Sequence, residues 1–139
     1  MIERVSNSPK ILMVNSSRGF IGGVERLMIQ LCQSLKEKDW QVYGLFERSA
    51  YEDPEFDRVF DDFEVSDKTD ISDFISYYQE IGIDIVCIHK SDKWQWVKTL
   101  QSHFQTVTIV HDHDYYCLRR HKYFPIKRKN CYLPYSNLY

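Results

Sequence analysis

The stretch Lys10-Ile-Leu-Met-Val-Asn-Ser-Ser-Arg-Gly-Phe-Ile-Gly-Gly-Val-Glu-Arg-Leu-Met-Ile-Gln-Leu-Cys-Gln-Ser-Leu-Lys-Glu-Lys38 decides the fold, because an apolar strand runs through glycines into an amphipathic helix. The apolar helix residues recur every three or four positions and share one face: Val24, Leu27, Met28, Leu31, Cys32 and Leu35. Gly19, Gly22 and Gly23 allow a ligand to approach the backbone, and the first N–H groups of a helix can face an anion. The stretch predicts a βα unit with a candidate phosphate-binding turn.

The spacing of the glycines leaves two interpretations open. Residues 19–23, Gly-Phe-Ile-Gly-Gly, differ from the G-x-G-x-x-G pattern of dinucleotide enzymes and lack the Lys-Ser/Thr that ends a Walker loop. Glycine is also the default residue of tight turns in general. The segment, called the glycine turn below, is therefore either a ligand loop or a plain connection.

Length and composition are those of one folded domain. The 139 residues are 43% hydrophobic, which allows a sizeable core, and the net charge of −2 argues against a nucleic-acid-coating protein. No apolar run approaches the ~18 residues of a membrane span. Residues 1–9 lack the apolar core of a signal peptide and are expected to be a flexible N-terminus. We therefore expect a cytoplasmic domain over residues 1–139.

Strands and helices are predicted to alternate along the rest of the chain. Strands are expected at residues 41–46, 83–88 and 106–110, and a short strand near 59–65 competes with a surface excursion. Helices are expected at residues 71–81 and 93–104, the second with Trp94, Val97, Leu100 and Phe104 facing inward. Such alternation predicts an α/β domain with a parallel, Rossmann-like sheet.

Charge is divided unevenly along the chain. From Tyr51 to Asp73 ten acidic residues accompany Arg58 and Lys68, whereas from Tyr115 onward there are six Lys or Arg and no acid. Residues 111–139 show no period and are rich in aromatic and basic residues, which is typical of a long loop. Because parallel strands end at one edge of a sheet, we expect this loop and the glycine turn to share a cleft.

Two segments together resemble a known family. One is Gly22-Gly23-Val-Glu-Arg26 leading into a long helix, and the other is a strand followed by His111-Asp-His-Asp with Cys117-x-Arg119 and a later Cys131. They are similar to the N-terminal half of a GT-B glycosyltransferase of family 4, which transfers sugars from nucleotide donors with retention of configuration. The resemblance spans about residues 10–131 and implies a Rossmann-like domain that is incomplete at its C-terminus.

The resemblance assigns roles to individual residues. Gly22 and Gly23 would lie near the donor diphosphate, and His111 would position the reacting sugar, with general base catalysis left open. Arg119, Arg120 and Glu25 are weaker candidates for acceptor contacts, although an acid in the first turn of a helix also has a structural explanation. The nucleotide sugar is a substrate, so no cofactor is expected. Enzymes of this fold generally need no bound divalent ion, so the resemblance implies no metal site.

The resemblance also implies missing parts. Such enzymes have a second, C-terminal Rossmann-like domain that supplies most nucleotide contacts, so the 139 residues alone are expected to bind donor weakly and to be inactive. The acceptor would be a glycan or a lipid-linked sugar, in polysaccharide or cell-surface assembly. The alternatives are a non-catalytic, truncated binding module and a dinucleotide-dependent oxidoreductase, for which Glu47 occupies the place of the ribose-binding acid.

The aromatic and basic region admits further interpretations. Its bases, including Arg119 and Arg120, form either a solvated face, an acceptor loop or a peripheral contact with an anionic membrane at the inner face. A mixed set of His and Cys lacks the paired spacing of structural zinc sites: His113, Cys117, His121 and Cys131. The cysteines are expected to be reduced thiols, with Cys32 and Cys87 in buried elements.

Overall fold

The structure is a computed structural model that describes residues 8–111, 123–124 and 129–130. The chain divides into two compact units, Met1–Ile109 and Val110–Tyr139. The first unit contains these elements in chain order: β1 (Lys10–Arg18), α1 (Gly23–Lys36), β2 (Gln41–Ser49), α2 (Pro54–Asp57), β3 (Asp62–Val65), α3 (Ser72–Ile81), β4 (Ile85–Ile88), α4 (Trp94–His103) and β5 (Thr106–Thr108).

The first unit is built on a five-stranded sheet of order β3-β2-β1-β4-β5 in which every pairing is parallel. β1 is the central strand: Ile11 pairs with Val42 of β2 on one side and with Ile85 of β4 on the other. This topology confirms the predicted α/β class and has the strand order of a Rossmann-like sheet.

The sheet is covered on both faces, because alternate residues of a strand point to opposite sides. In β1, Ile11 and Met13 pack with α1 and α2, whereas Leu12 and Val14 pack with α3 and α4. The uninterrupted apolar run of β1 is typical of a parallel strand buried on both faces. The two helix layers therefore enclose the strand that leads into the glycine turn.

The short strand considered near residues 59–65 is present as β3. β2 extends three residues beyond its predicted end at residue 46. The four-residue helix α2 was not predicted, because its sequence is short and acidic and shows no apolar periodicity. Asp53 caps α2 by accepting hydrogen bonds from the N–H groups of Glu55 and Phe56, and Phe56 is fully buried against Phe46 and Phe60. The acidic stretch is thus partly anchored in the core.

The buried tryptophan of α4 is Trp96 and not Trp94. Trp94 is 63% exposed, so its inward prediction is wrong, whereas Trp96 is fully buried. The indole N–H of Trp96 donates to the carbonyl oxygen of Lys68 at 2.9 Å, which satisfies its polar end inside the core. Leu27 of α1, also predicted on the inner face, is 47% exposed.

The second unit contains a two-stranded antiparallel pair, β6 (Tyr123–Phe124) and β7 (Lys129–Asn130). The prediction of a loop throughout residues 111–139 is therefore wrong at these four positions. Tyr and Phe favour strands, but a pair of such short segments carries no detectable alternation in the sequence.

Cys32 and Cys87 are buried free thiols in the layer between α1 and the sheet, as predicted from their positions. Burial raises the pKa of Cys32 to about 12 and that of Cys87 to about 11. Because the thiolate is the reactive form, both thiols are protected chemically as well as sterically.

Gly44→Ala is expected to destabilise the domain by about 1–3 kcal/mol. A Cβ at Gly44 would lie 2.7 Å from Cε2 of Phe46 and 3.0 Å from Cβ of Phe63, and the fully buried ring of Phe46 has no space to yield. Urea unfolding measures the change. Gly23→Ala is the matched control, because nothing lies within 4 Å of its added Cβ. Equal stability of Gly44→Ala and the parent would refute the close packing of β2 on β3.

The two buried thiols are expected to resist alkylation in the native state. The variant Cys117→Ser/Cys131→Ser is used so that Cys32 and Cys87 are the only thiols. Their raised pKa values lower the fraction of thiolate at pH 8 about 100-fold or more relative to a free cysteine. Iodoacetamide labelling followed by mass spectrometry should be slow in buffer and fast in denaturant, and the native rate should rise with pH. Rapid native labelling at pH 8 would show that this core layer opens.

Candidate functional site

The candidate site lies where the direction of the strand order reverses, between β1 and β4. In open α/β sheets ligands bind at this point, outside the carboxyl ends of the strands. β1 continues there into the glycine turn, and β4 continues into residues 89–93. The buried polar side chains of the first unit concentrate at the ends of these strands and their neighbours: Asn15, Ser16, Ser17, Glu47, Ser66 and His89.

The glycine turn begins at Gly19, where the backbone conformation requires glycine. Gly19 has φ of 101°, and a Cβ there would lie 3.2 Å from the carbonyl oxygen of Tyr51. The Tyr51 hydroxyl in turn donates to the carbonyl oxygen of Phe20. The segment after β2 therefore supports the first half of the turn, and the exposed Gly22 and Gly23 lie at its other end.

The start of α1 is partly occupied by the chain's own carboxylate. Glu25 Oε2 accepts a hydrogen bond of 2.9 Å from the N–H of Gly22. Among the described residues, no protein group accepts a hydrogen bond from the N–H of Gly23 or Val24, as is usual in the first turn of a helix. An anion at this turn would thus meet the open N–H groups of Gly23 and Val24 beside an occupied Gly22.

Glu25, a weak acceptor candidate from the sequence, is committed to internal hydrogen bonds. It is only 6% exposed, and its Oε1 accepts a hydrogen bond of 3.1 Å from Nδ2 of Asn15. Asn15 Nδ2 also donates to the carbonyl oxygen of Ser17 at 2.9 Å. This network ties the end of β1 to the first turn of α1 and fixes the geometry of the glycine turn.

Asn15 is a site residue that the sequence analysis missed. Both of its Nδ2 hydrogens meet acceptors, whereas its fully buried Oδ1 has no hydrogen-bond partner. A flipped amide would point the oxygen at two acceptors, so the unsatisfied atom is the carbonyl oxygen. The available signal was a polar residue closing the apolar run of β1, next to the glycines.

Glu47 caps the loop that follows β4. Its buried carboxylate accepts hydrogen bonds from the backbone N–H groups of Asp92 and Lys93, at 3.0 and 3.2 Å, and from the hydroxyl of Ser91. A carboxylate that already accepts several hydrogen bonds from its own chain is not available to accept hydrogen bonds from a ribose. The geometry therefore does not favour the dinucleotide alternative that assigned Glu47 to a ligand.

Arg18, at the end of β1, is also paired internally. It donates from Nε to Asp57 at 2.8 Å and from Nη2 to the other carboxylate oxygen, and its guanidinium carbon lies 4.8 Å from the centroid of the Phe63 ring. The hydrogen bonds to Asp57 raise the pKa of Arg18. Its charge is thus compensated, and it fastens α2 to the edge of the sheet.

His89 follows β4 and was also missed by the sequence analysis. The side chain is fully buried, and its Nε2 lies 3.6 Å from Sγ of Cys87. Its backbone N–H donates to the carbonyl oxygen of Val14, which continues the pairing of β4 with β1 by one residue. The raised pKa of Cys87 keeps the thiol protonated, so this pair is not an activated nucleophile.

The remaining sequence-predicted residues belong to the second unit. His111 is half-buried, and its shared cleft with the glycine turn stays a prediction. Arg119 and Arg120 lie outside the described residues. So do the four residues considered as possible zinc ligands: His113, Cys117, His121 and Cys131. Within the part of the chain that the structure describes, no group of three His, Cys, Asp or Glu could hold a metal.

A scan against protein-family models finds no match to the chain, and a search of the curated proteins finds none either. The class of the protein therefore rests on its fold: an α/β domain with a parallel, Rossmann-like sheet and a glycine turn at the point where the strand order reverses. None of the described helices has the length and apolar character needed to cross a membrane.

Asn15→Asp is expected to cost about 2–3 kcal/mol at neutral pH, because it places a second carboxylate against Glu25 and removes two donors. The repulsion is present at high pH and is relieved at acid pH, where one of the two carboxyl groups takes up a proton. Chemical denaturation of variant and parent at pH 7 and pH 4.5 tests this expectation.

Gln30→Glu is the control for Asn15→Asp, because it makes the same charge change at an exposed position of α1. It should change stability by no more than about 0.5 kcal/mol at either pH. If Asn15→Asp is as stable as Gln30→Glu at pH 7, the Asn15–Glu25 hydrogen bond does not organise the turn.

Proposed function

We propose that this chain forms the N-terminal domain of a retaining glycosyltransferase that uses a nucleotide sugar as donor. The main support for the proposal is the position of the glycine turn. The turn leads directly into α1 at the point where the strand order reverses. The start of a helix favours the binding of anions, because its first N–H groups lack intrahelical partners and the positive end of the helix dipole lies there.

The proposed chemistry matches the groups available at the turn. Departure of a nucleoside diphosphate develops negative charge, and preorganised N–H donors stabilise such charge without moving. The open N–H groups of Gly23 and Val24 would take this role, with Gly22 bringing the backbone close to the ligand. His111 would position the sugar, and same-face attack by the acceptor would require no protein nucleophile.

The proposal includes a division of labour between two domains. A second Rossmann-like domain would supply most contacts to the nucleotide, and the 139 residues alone would bind donor weakly and not catalyse transfer. The acceptor would be a glycan or a lipid-linked sugar, with Arg119 and Arg120 as candidate contacts. The proposed location is the cytoplasm, with a peripheral contact at the anionic inner face of the membrane.

Nucleotide sugars are expected to bind the 139-residue chain with an affinity in the millimolar range. In ¹⁵N-resolved NMR spectra, UDP-glucose or GDP-mannose at about 10 mM should shift the amide signals of Gly23 and Val24. Gly23→Asp should abolish the shifts, because its carboxylate would occupy the anion position, whereas Gly23→Ala should retain them.

The same titration separates the rival functions. Shifts with NAD but with neither nucleotide sugar would favour the oxidoreductase. The absence of shifts with all three ligands would refute a ligand-binding role for the turn. Efficient sugar transfer by the 139 residues alone would contradict the proposed need for a second domain.

A further inference from the structure

β5 is an edge strand of the sheet, and its outer side is open. The carbonyl oxygen of Gln105 and the N–H of Ile109 are each hydrogen-bonded to β4 at 2.9 Å. Because successive residues of a strand direct their N–H and C=O groups to alternate sides, those of Thr106 and Thr108 point away from β4. Within the part of the chain that the structure describes, no protein group pairs with them. β5 therefore offers these backbone groups to a further strand.

No charge protects this edge from pairing. Residues 99–110 contain no Asp, Glu, Lys or Arg, although 27% of the whole chain is charged. Val107, the middle residue of β5, is 46% exposed, and all three residues of the strand are β-branched. Natural edge strands commonly prevent pairing with charged side chains or proline, and β5 has neither. Its composition thus favours a strand pair over solvation.

The opposite edge of the sheet is protected in the usual way. β3 contains two carboxylates, of which Asp62 is exposed and Glu64 is half-buried. Asp62 also accepts a hydrogen bond of 2.9 Å from the N–H of Phe63, so a backbone donor of this strand is already occupied. A second copy of β3 placed against the first would bring like charges together. Self-association through the sheet is therefore favoured at β5 and disfavoured at β3.

We propose that two copies of this chain associate through β5, in an antiparallel pairing with its two-fold axis at Val107. Thr106 would exchange a pair of hydrogen bonds with the partner's Thr108, and Thr108 would do the same with the partner's Thr106. Val107 would face the partner's Val107 in a non-hydrogen-bonded pair, where side chains approach most closely. The inference goes beyond the proposed function and does not depend on it.

A second copy fits this edge because the segment is complementary to itself. In the proposed register every outward N–H and C=O group of β5 meets its complement on the partner, as a two-fold interface requires. Threonines lie opposite threonines and valine lies opposite valine, which are favourable cross-strand pairs. A strand pair of this length buries less area than a standard interface, so a dissociation constant of about 10 µM is expected.

Sedimentation equilibrium of the 139-residue chain tests the dimer. At about 100 µM most of the chain should have twice the monomer mass of 16.7 kDa, and at about 1 µM the monomer should predominate. Val107→Lys should weaken association at least about tenfold, because two like charges would face each other across the axis. Val65→Lys is the matched control, since it makes the same change at an exposed valine of β3, and it should associate like the parent.

The position of the axis is tested by mixing two variants. Val107→Glu alone should associate as weakly as Val107→Lys, whereas an equimolar mixture of the two should regain the association of the parent, because opposite charges then face each other. Matching denaturation curves verify that these variants and Val65→Lys fold like the parent. The recovery in the mixture is a result that damaged folding of either variant would not produce.

A cross-link provides a second measurement of the register. In the background Cys117→Ser/Cys131→Ser, Val107→Cys should form an intermolecular disulfide with oxidised glutathione. The Cα atoms of a non-hydrogen-bonded pair are about 4.5 Å apart, which a disulfide can span. Val65→Cys in the same background should form none under the same conditions.

Several results would overturn the dimer. They are a mass of 16.7 kDa at about 100 µM, equal association of Val107→Lys and Val65→Lys, and a mixture of the Lys and Glu variants that stays monomeric. Growth into assemblies larger than a dimer would contradict a closed two-fold pairing. Because no nucleotide or sugar is present, none of these outcomes bears on the proposed glycosyltransferase.

Discussion

The position of β1 between β2 and β4 is the constraint on which the rest of the structure depends. Residues 11–14 of β1 are hydrogen-bonded on both sides and covered on both faces, and residues 15–18 continue the pairing with β2. The glycine turn begins where this strand ends, and α1 departs from it toward one face of the sheet. A site at this turn would therefore be anchored to the central strand of the sheet.

Two buried carboxylates organise the loops at this edge. Glu25 joins the start of α1 to Asn15, and Glu47 gathers the backbone N–H groups that precede α4. Each carboxylate replaces lost hydration with several hydrogen bonds from its own chain, which is the condition for burying such a group. The two carboxylates at this edge are thus committed to internal hydrogen bonds.

The sequence predicted the parts of the fold that follow from periodicity. The strand, turn and helix of residues 10–36 were evident, because apolar spacing and glycines agreed there. The choice between Trp94 and Trp96 was not evident, because both lie at helical spacing from one of the inward-facing residues Val97 and Leu100. Asn15 and His89 were missed as site residues, and Glu47 was considered only as a ribose-binding acid. The hydrogen bonds of Glu47 and His89 reach residues more than 40 positions away in the chain, and no local pattern encodes such contacts.

The hydrogen bonds at the start of β1 have a consequence for the order of assembly. Lys10 donates from its backbone N–H to Asp84, 74 residues further along the chain, and from its side chain to the carbonyl oxygen of Ile81. On the ribosome, β1 can pair with β2 early, but its other edge stays open until β4 has been synthesised. Closing such a long loop is slow compared with local pairing, so one edge of this apolar strand stays unpaired until β4 has been made.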